Sequence, residues 1–111
     1  IFLQNYVRKM GLEGALIATA EGLEMASFFN VSKEADIIAA DMASLLSSSL
    51  SLLSSTGKGG FSEMIIDSDK GAIAIKNLGD DIVLGILAPE GYKLGGLLVS
   101  LKQFVKELQT L

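Results

Sequence analysis

Four stretches of this chain have residue types that chemistry uses. Asp67-Ser68-Asp69-Lys70-Gly71 opens like a calcium loop, where alternating carboxylates supply hard oxygen ligands. Such a loop needs a third Asp or Asn, Gly at its sixth place and Glu at its twelfth. Here Gly71 is fifth and Leu78 is twelfth, so the stretch reads as a hairpin turn. Gly57-Lys58-Gly59-Gly60 has the composition of a phosphate-binding loop, but no Ser or Thr follows its Lys, and it succeeds a helical pattern. It reads as a helix cap and linker. Asp80-Asp81 pairs two carboxylates, the equipment of a glycosidase. Adjacent residues at a strand start point in opposite directions, so these two cannot straddle one bond. Ser47, Ser48 and Ser49 have no His base and no nucleophile elbow. No constellation here carries catalysis, and the expectation is a protein that is not an enzyme.

Composition narrows the classes further. The chain has 111 residues with no Cys and no His. That excludes structural zinc, thiol nucleophiles, disulfides and imidazole acid–base chemistry, and neither a metal nor a cofactor is expected. The net charge of −4 argues against nucleic acid as a partner. Lys58, Lys70, Lys76, Lys93, Lys102 and Lys106 are dispersed, with no aromatic residues interleaved. Half the residues are apolar, and the mean hydropathy is +0.48. Either a bilayer or a partner must cover that surface. No uninterrupted run of about 20 apolar residues exists, so no transmembrane segment is expected and a partner interface is. No signal-peptide pattern is visible, and the lack of Cys fits a cytoplasmic protein.

The element that would present such an interface is the stretch from Lys33 to Thr56. It contains no Pro or Gly and would form a helix on the order of 35 Å long. On a helical wheel Ala35, Ile38, Ala39, Met42, Leu45, Leu46, Ser49, Leu50, Leu52 and Leu53 share one side, which should face a core. The other side carries Asp36, Ala40, Ala43, Ser44, Ser47, Ser51 and Ser54. A solvated face would carry Lys, Glu and Arg. Small uncharged side chains permit close approach of a second helix, and a second copy of the chain is the simplest supplier.

The remaining elements follow from period and punctuation. Residues 1–10 place Phe2, Leu3, Tyr6, Val7 and Met10 at helical spacing, ended by Gly11. Residues 14–19 and 23–29 read as a hairpin around Glu21-Gly22. Ser32 is the expected N-cap of the long helix and Gly57 its C-terminal cap. Three strands should follow, at 61–67, 72–76 and 81–88. The Ile82–Leu87 core of the third suggests burial on both faces. A last helix from Leu94 should bury Leu94, Leu97, Leu98, Leu101, Phe104, Val105, Leu108 and Leu111. The order α-β-β-α-β-β-β-α, with short hairpins, predicts an α+β fold. It would be a three-layer α/β/α sandwich on a five-stranded, mostly antiparallel sheet.

This order and several segments resemble the roadblock/LC7 family, in its compact bacterial or archaeal form. The resemblance runs from about Tyr6 to Leu108. It is carried by Gly11-Leu12-Glu13-Gly14-Ala15-Leu16-Ile17, Glu21-Gly22-Leu23, the long small-residue helix and Leu94-Gly95-Gly96-Leu97-Leu98. The usual apolar or Arg-rich variation of the central helix is replaced here by a Ser run. The resemblance implies a profilin- or longin-like sandwich and a homodimer, or a heterodimer with a paralogous roadblock protein. Central helices would pack together, and the strand after them would pair with its mate. Taken with the small-residue face of the long helix, it puts Asp36, Ala40, Ala43, Ser44, Ser47, Ser51, Ser54, Ser62, Met64 and Ile66 at the expected dimer interface. It further implies a non-catalytic platform that scaffolds or regulates a Ras-like small GTPase, or an adaptor in a motor complex. A small-molecule sensor with an apolar pocket is the alternative from another class.

Overall fold

The computed structural model describes residues 2–110. Its elements are α1 (Phe2–Met10), β1 (Gly14–Thr19), β2 (Glu24–Phe29), α2 (Ala35–Ser55), β3 (Glu63–Ser68), β4 (Gly71–Gly79), β5 (Ile82–Pro89) and α3 (Leu94–Leu108). The five strands form one sheet in the order β2-β1-β5-β4-β3, with every neighbouring pair antiparallel. Strand alternation sends side chains to two faces. Ala15, Ala72, Ala74, Leu84 and Ile86 pack with Leu3, Tyr6 and Val7 of α1 and Leu97, Leu101 and Phe104 of α3. Leu16, Ala18, Ile75 and Val83 pack with Ala39, Met42 and Leu46 of α2. This is the expected three-layer α+β sandwich. The apolar run of β5 is explained by its place at the centre of the sheet, under helices on both faces. At Gly85 an added Cβ would lie 2.6 Å from Met42 Sδ, so the missing side chain makes room for the one from α2.

The ends of α2 differ from each other. Gly57 adopts φ +69. Its N–H bonds the Ser54 carbonyl and that of Lys58 bonds Leu53, which is a Schellman cap at the expected glycine. At the start, Ser32 is not the N-cap. That position falls to Glu34, which makes no side-chain capping bond, because the helix begins at Ala35 and leaves Ser32 outside its first turn. Strand β3 begins at Glu63 rather than Phe61, since the Phe61 ring is buried against the α2 side of the sheet. β4 runs on to Gly79, and the turn before β5 contracts to Asp80-Asp81, with φ +54 and +59.

On the opposite face α1 and α3 are tied by polar bonds inside the apolar layer. The Tyr6 hydroxyl donates to the Ser100 carbonyl. The Tyr92 hydroxyl donates to the Met10 carbonyl at 2.7 Å and lies 3.0 Å from Ser100 Oγ. Burial pushes the Tyr6 hydroxyl above its ordinary pKa range, because the phenolate would lose water. α3 buries Leu97, Ser100, Leu101 and Phe104, a spacing of one helical stripe. Leu94 and Leu98, expected in the core, fall on the flank of that stripe and are 40% and 37% exposed. Ile1 and Leu111, assigned to the terminal helices by pattern, lie outside the described residues.

Candidate interaction surface

The surface that the sequence singles out is built by α2 and β3. α2 lies on β1 and β2 and reaches β5 through Met42. Its position is set by the β1–β2 turn. Gly22, at φ +103, brings that turn so close that an added Cβ would sit 3.3 Å from Ala40 Cα and Ala43 Cβ. A side chain there would be strained by φ and would have to push Ala40 and Ala43 back by a few tenths of an ångström. The Ala40–Ala43 flank of α2 therefore faces the β1–β2 side of the molecule.

That contact decides which residues stay open. At about 100° per residue, Leu45 and Leu52 lie roughly 160° and 180° around the helix from Ala43. They face away from the turn, toward the half of the sheet formed by β4 and β3. Expected to be buried, they are 37% and 65% exposed, and Leu50 is exposed as well. Only Ala39, Met42 and Leu46 of α2 are fully buried. One helix over a five-stranded sheet cannot cover an apolar arc this wide. Ile73 of β4 is also exposed on this face, and Met64 and Ile66 of β3 are half-buried. α2 also has the length and apolar content of a membrane span, contrary to the reading of the chain as free of such runs. Its Ala39, Met42 and Leu46 are instead packed on the sheet.

The sheet has two edges, and they are unlike. Along β2 the register shifts between Ile17 and Ala18, where Ala26 is followed by Glu24 as partner and Met25 is left unpaired. A bulge of this kind bends an edge and discourages further pairing. β3 pairs with β4 without a break from Glu63 to Ser68. Ser68 and Gly71 flank a two-residue loop and so exchange main-chain bonds, as do alternate pairs beyond them. Asn77 N–H continues the ladder to the Ser62 carbonyl at 2.9 Å. Glu63, Ile65 and Asp67 consequently turn their N–H and C=O groups outward. Asn77 fixes the entry of this strand, its side-chain amide donating to the Phe61 carbonyl at 3.1 Å. Glu63 is held by Lys76 at 3.1 Å.

The residues assigned to the interface from sequence fall into two groups. Ser62, Met64 and Ile66 belong to the open edge and its approach. Asp36, Ala40, Ser44, Ser47, Ser51 and Ser54 are exposed on α2, and Ala43 is half-buried against Gly22. The two groups sit toward opposite sides of α2. The exposed Leu45 and Leu52, between them, were missed because the wheel placed them with the core. The chemical candidates are accounted for by backbone. Ser68 Oγ donates to the Gly71 carbonyl at 2.8 Å across the hairpin, Gly57 caps a helix, and Asp80-Asp81 are a turn in the left-handed region. A groove of about 420 Å³ lies elsewhere, lined by Phe2, Leu3, Ile17, Phe28 and Leu108, with Gln4 and Ser27 as its polar members.

Comparison with known proteins agrees with this architecture. No curated protein sequence matches. Among solved structures, a Roadblock/LC7 domain from Streptomyces avermitilis superposes with TM-score 0.83 at 19% identity, covering 97% of this chain and 92% of that one. Myxococcus xanthus MglB superposes with TM-score 0.86 at 15% identity, over 96% and 87%. The gliding protein MglB from Thermus thermophilus gives TM-score 0.82 at 20% identity, over 93% and 79%. At such identities these likenesses speak for the fold alone. The family model for the Roadblock/LC7 domain matches residues 2–88, which is α1 through β5, and the chain belongs to that family.

Proposed function

We propose that this protein is a non-catalytic dimerisation module whose paired α2 helices present a surface to a Ras-like small GTPase. One observation carries the reading: an unbroken, unpaired β3 edge stands beside exposed leucines of α2 on the same side of the molecule. Two copies related by a two-fold axis perpendicular to the sheet would join β3 to β3 and set Leu45 and Leu52 against the partner helix. Outward main-chain groups must meet outward ones, which restricts the register. Centring on Ile65 would oppose Glu63 to the partner's Asp67, like charges directly across the ladder. Centring on Met64 places Glu63 opposite the partner's Ile65 and Met64 opposite its own copy. We favour that register, which keeps Met64 and Ile66 near the axis and Ser62 opposite the partner's Ile66.

Sequence alone put the helix contact on the Ser and Ala residues. The leucine flank is the better choice, because it is apolar and adjoins the open strand. Ser44, Ser47, Ser51 and Ser54 then stay available on the paired helices, with Asp36 and Asp41 toward one end. A solved MglB is described as having a tetrameric arrangement, which supports self-association as the property to test first. A surface of small side chains suits the backbone of switch loops, which change shape with the γ-phosphate. Regulation would require different affinity for the GTP and GDP states, and tenfold corresponds to about 1.4 kcal/mol.

Calorimetry with Ras-like GTPases from neighbouring genes, loaded with each nucleotide, tests the reading. Binding that prefers one state and adds no hydrolytic group is the expected outcome. Absence of binding to all of them, with a metabolite that raises the melting temperature, would move the assignment to a sensor using the groove beside Phe28.

A further inference from the structure

The charge of this protein is unevenly distributed between its layers. α1 and α3 carry Arg8, Lys9, Lys102 and Lys106 against a single acidic residue, Glu107, for a net +3. The whole chain carries −4, so everything else carries −7. α2, on the other face, has Asp36 and Asp41 and no basic residue. The positive layer also exposes apolar side chains of its own, as the α2 side does. Gly95, Val99, Lys102 and Lys106 follow one another at spacings of four, three and four along α3, a single line on its outer surface. Val99 on that line is 61% exposed, and Leu94 and Leu98 flank it on one side. Of these three, Val99 is the one mostly in solvent. α3 also lies beyond the residues matched by the family, 2–88.

We propose that the α1–α3 face docks on a bilayer rich in anionic phospholipid headgroups. Lysines at Lys102 and Lys106 can lay their methylene stems along the helix and direct their ammonium groups to phosphate. Val99 and Leu98 between them reach the boundary between headgroups and acyl chains. A convex helix crest with apolar tips and a basic rim suits a plane better than it suits a peptide, which needs a groove. The proposal rests on the dimer reading for its strength. A two-fold axis perpendicular to a joined sheet puts both α1–α3 layers on one side and both α2 helices on the other. Two weak basic faces then act together, and the surface offered to a GTPase points away from the membrane.

The test is sedimentation of the protein with vesicles of phosphatidylcholine, alone or mixed with phosphatidylglycerol. Wild type should bind the mixed vesicles, ignore the neutral ones and be released by salt. Each basic residue near the surface contributes about fivefold, so Lys102→Glu with Lys106→Glu should weaken binding at least 25-fold. Val99→Ser should weaken it too, whereas adsorption by charge alone would tolerate that neutral change. All three positions are exposed, so these variants keep the fold, which circular dichroism checks. Equal binding to both vesicles, or to neither, overturns the proposal. Binding to polyglutamate but not to vesicles would assign the face to an acidic protein and overturn it as well. Sedimentation equilibrium without vesicles reports the dimer separately. A monomer there would refute the dimer reading, and the lysine variants would still decide the face.

Discussion

Replacing Leu45 and Leu52 together by Ala is the perturbation that best separates the two flanks of α2. In the protomer these side chains are 37% and 65% exposed. Burying what remains of both amounts to burying roughly one whole leucine, about 1.5–3 kcal/mol per protomer. The two-fold axis counts it twice, so the variant should lose about 3–6 kcal/mol of association. That weakens the dimer by roughly two to four powers of ten, at 1.4 kcal/mol per tenfold. The protomer loses the part of each side chain that it already buries, most of Leu45 and about a third of Leu52. That is again roughly one leucine or about 1.5–3 kcal/mol, so its own unfolding must be measured beside the association. Sedimentation equilibrium gives the dissociation constant, and thermal unfolding of the diluted monomer gives the control. Ser47→Ala with Ser51→Ala is the matched change on the other flank and should leave association within a few tenths of a kcal/mol. If the leucine variant dimerises like wild type, the interface is not on this flank. If Ser47→Arg alone breaks the dimer, the serine flank regains it.

Hydrogen exchange should divide β3 by parity: the amides of Met64 and Ile66 stay protected by β4 at any concentration, whereas those of Glu63 and Ile65 speed up on dilution. Fast exchange of the second set at all concentrations would leave the edge open and send the dimer elsewhere. The absence of cysteine from the chain makes cross-linking clean. Met64→Cys should form an intermolecular disulfide under mild oxidation, because a non-hydrogen-bonded pair brings Cα atoms to about 4.5 Å. A bond from Ile65→Cys but not Met64→Cys would place the axis one residue on. Tyr6 sets an alkaline limit. Its folded pKa is raised by burial above the ordinary 10.0, so the native state keeps a proton that the unfolded chain releases. Stability is therefore full below pH 10 and falls as pH rises past it, and Tyr6→Phe should flatten that fall in denaturant titrations. Equal slopes for both proteins would mean that another group is responsible.

How much of this was legible beforehand depended on the range of the interactions involved. Val7, Leu97, Leu101 and Phe104 announced their helices by spacing, Gly57 its cap, and β5 its central place by an apolar run, because each signal lies within one element. The N-cap at Glu34 and the late start of β3 were not legible. Both are settled by where the chain must go next, with Phe61 turned into the core before pairing begins. For the surface, sequence by itself determined the length of α2 and an apolar arc wider than any buried stripe. Those are properties of composition and period. Which edge of the arc would stay in solvent was decided only when Gly22 brought the β1–β2 turn against Ala40 and Ala43. That contact joins residues far apart in the chain and rotates α2 on the sheet. It leaves Leu45 and Leu52 beside an unpaired strand, whose own openness follows from the strand order rather than from the residues in it.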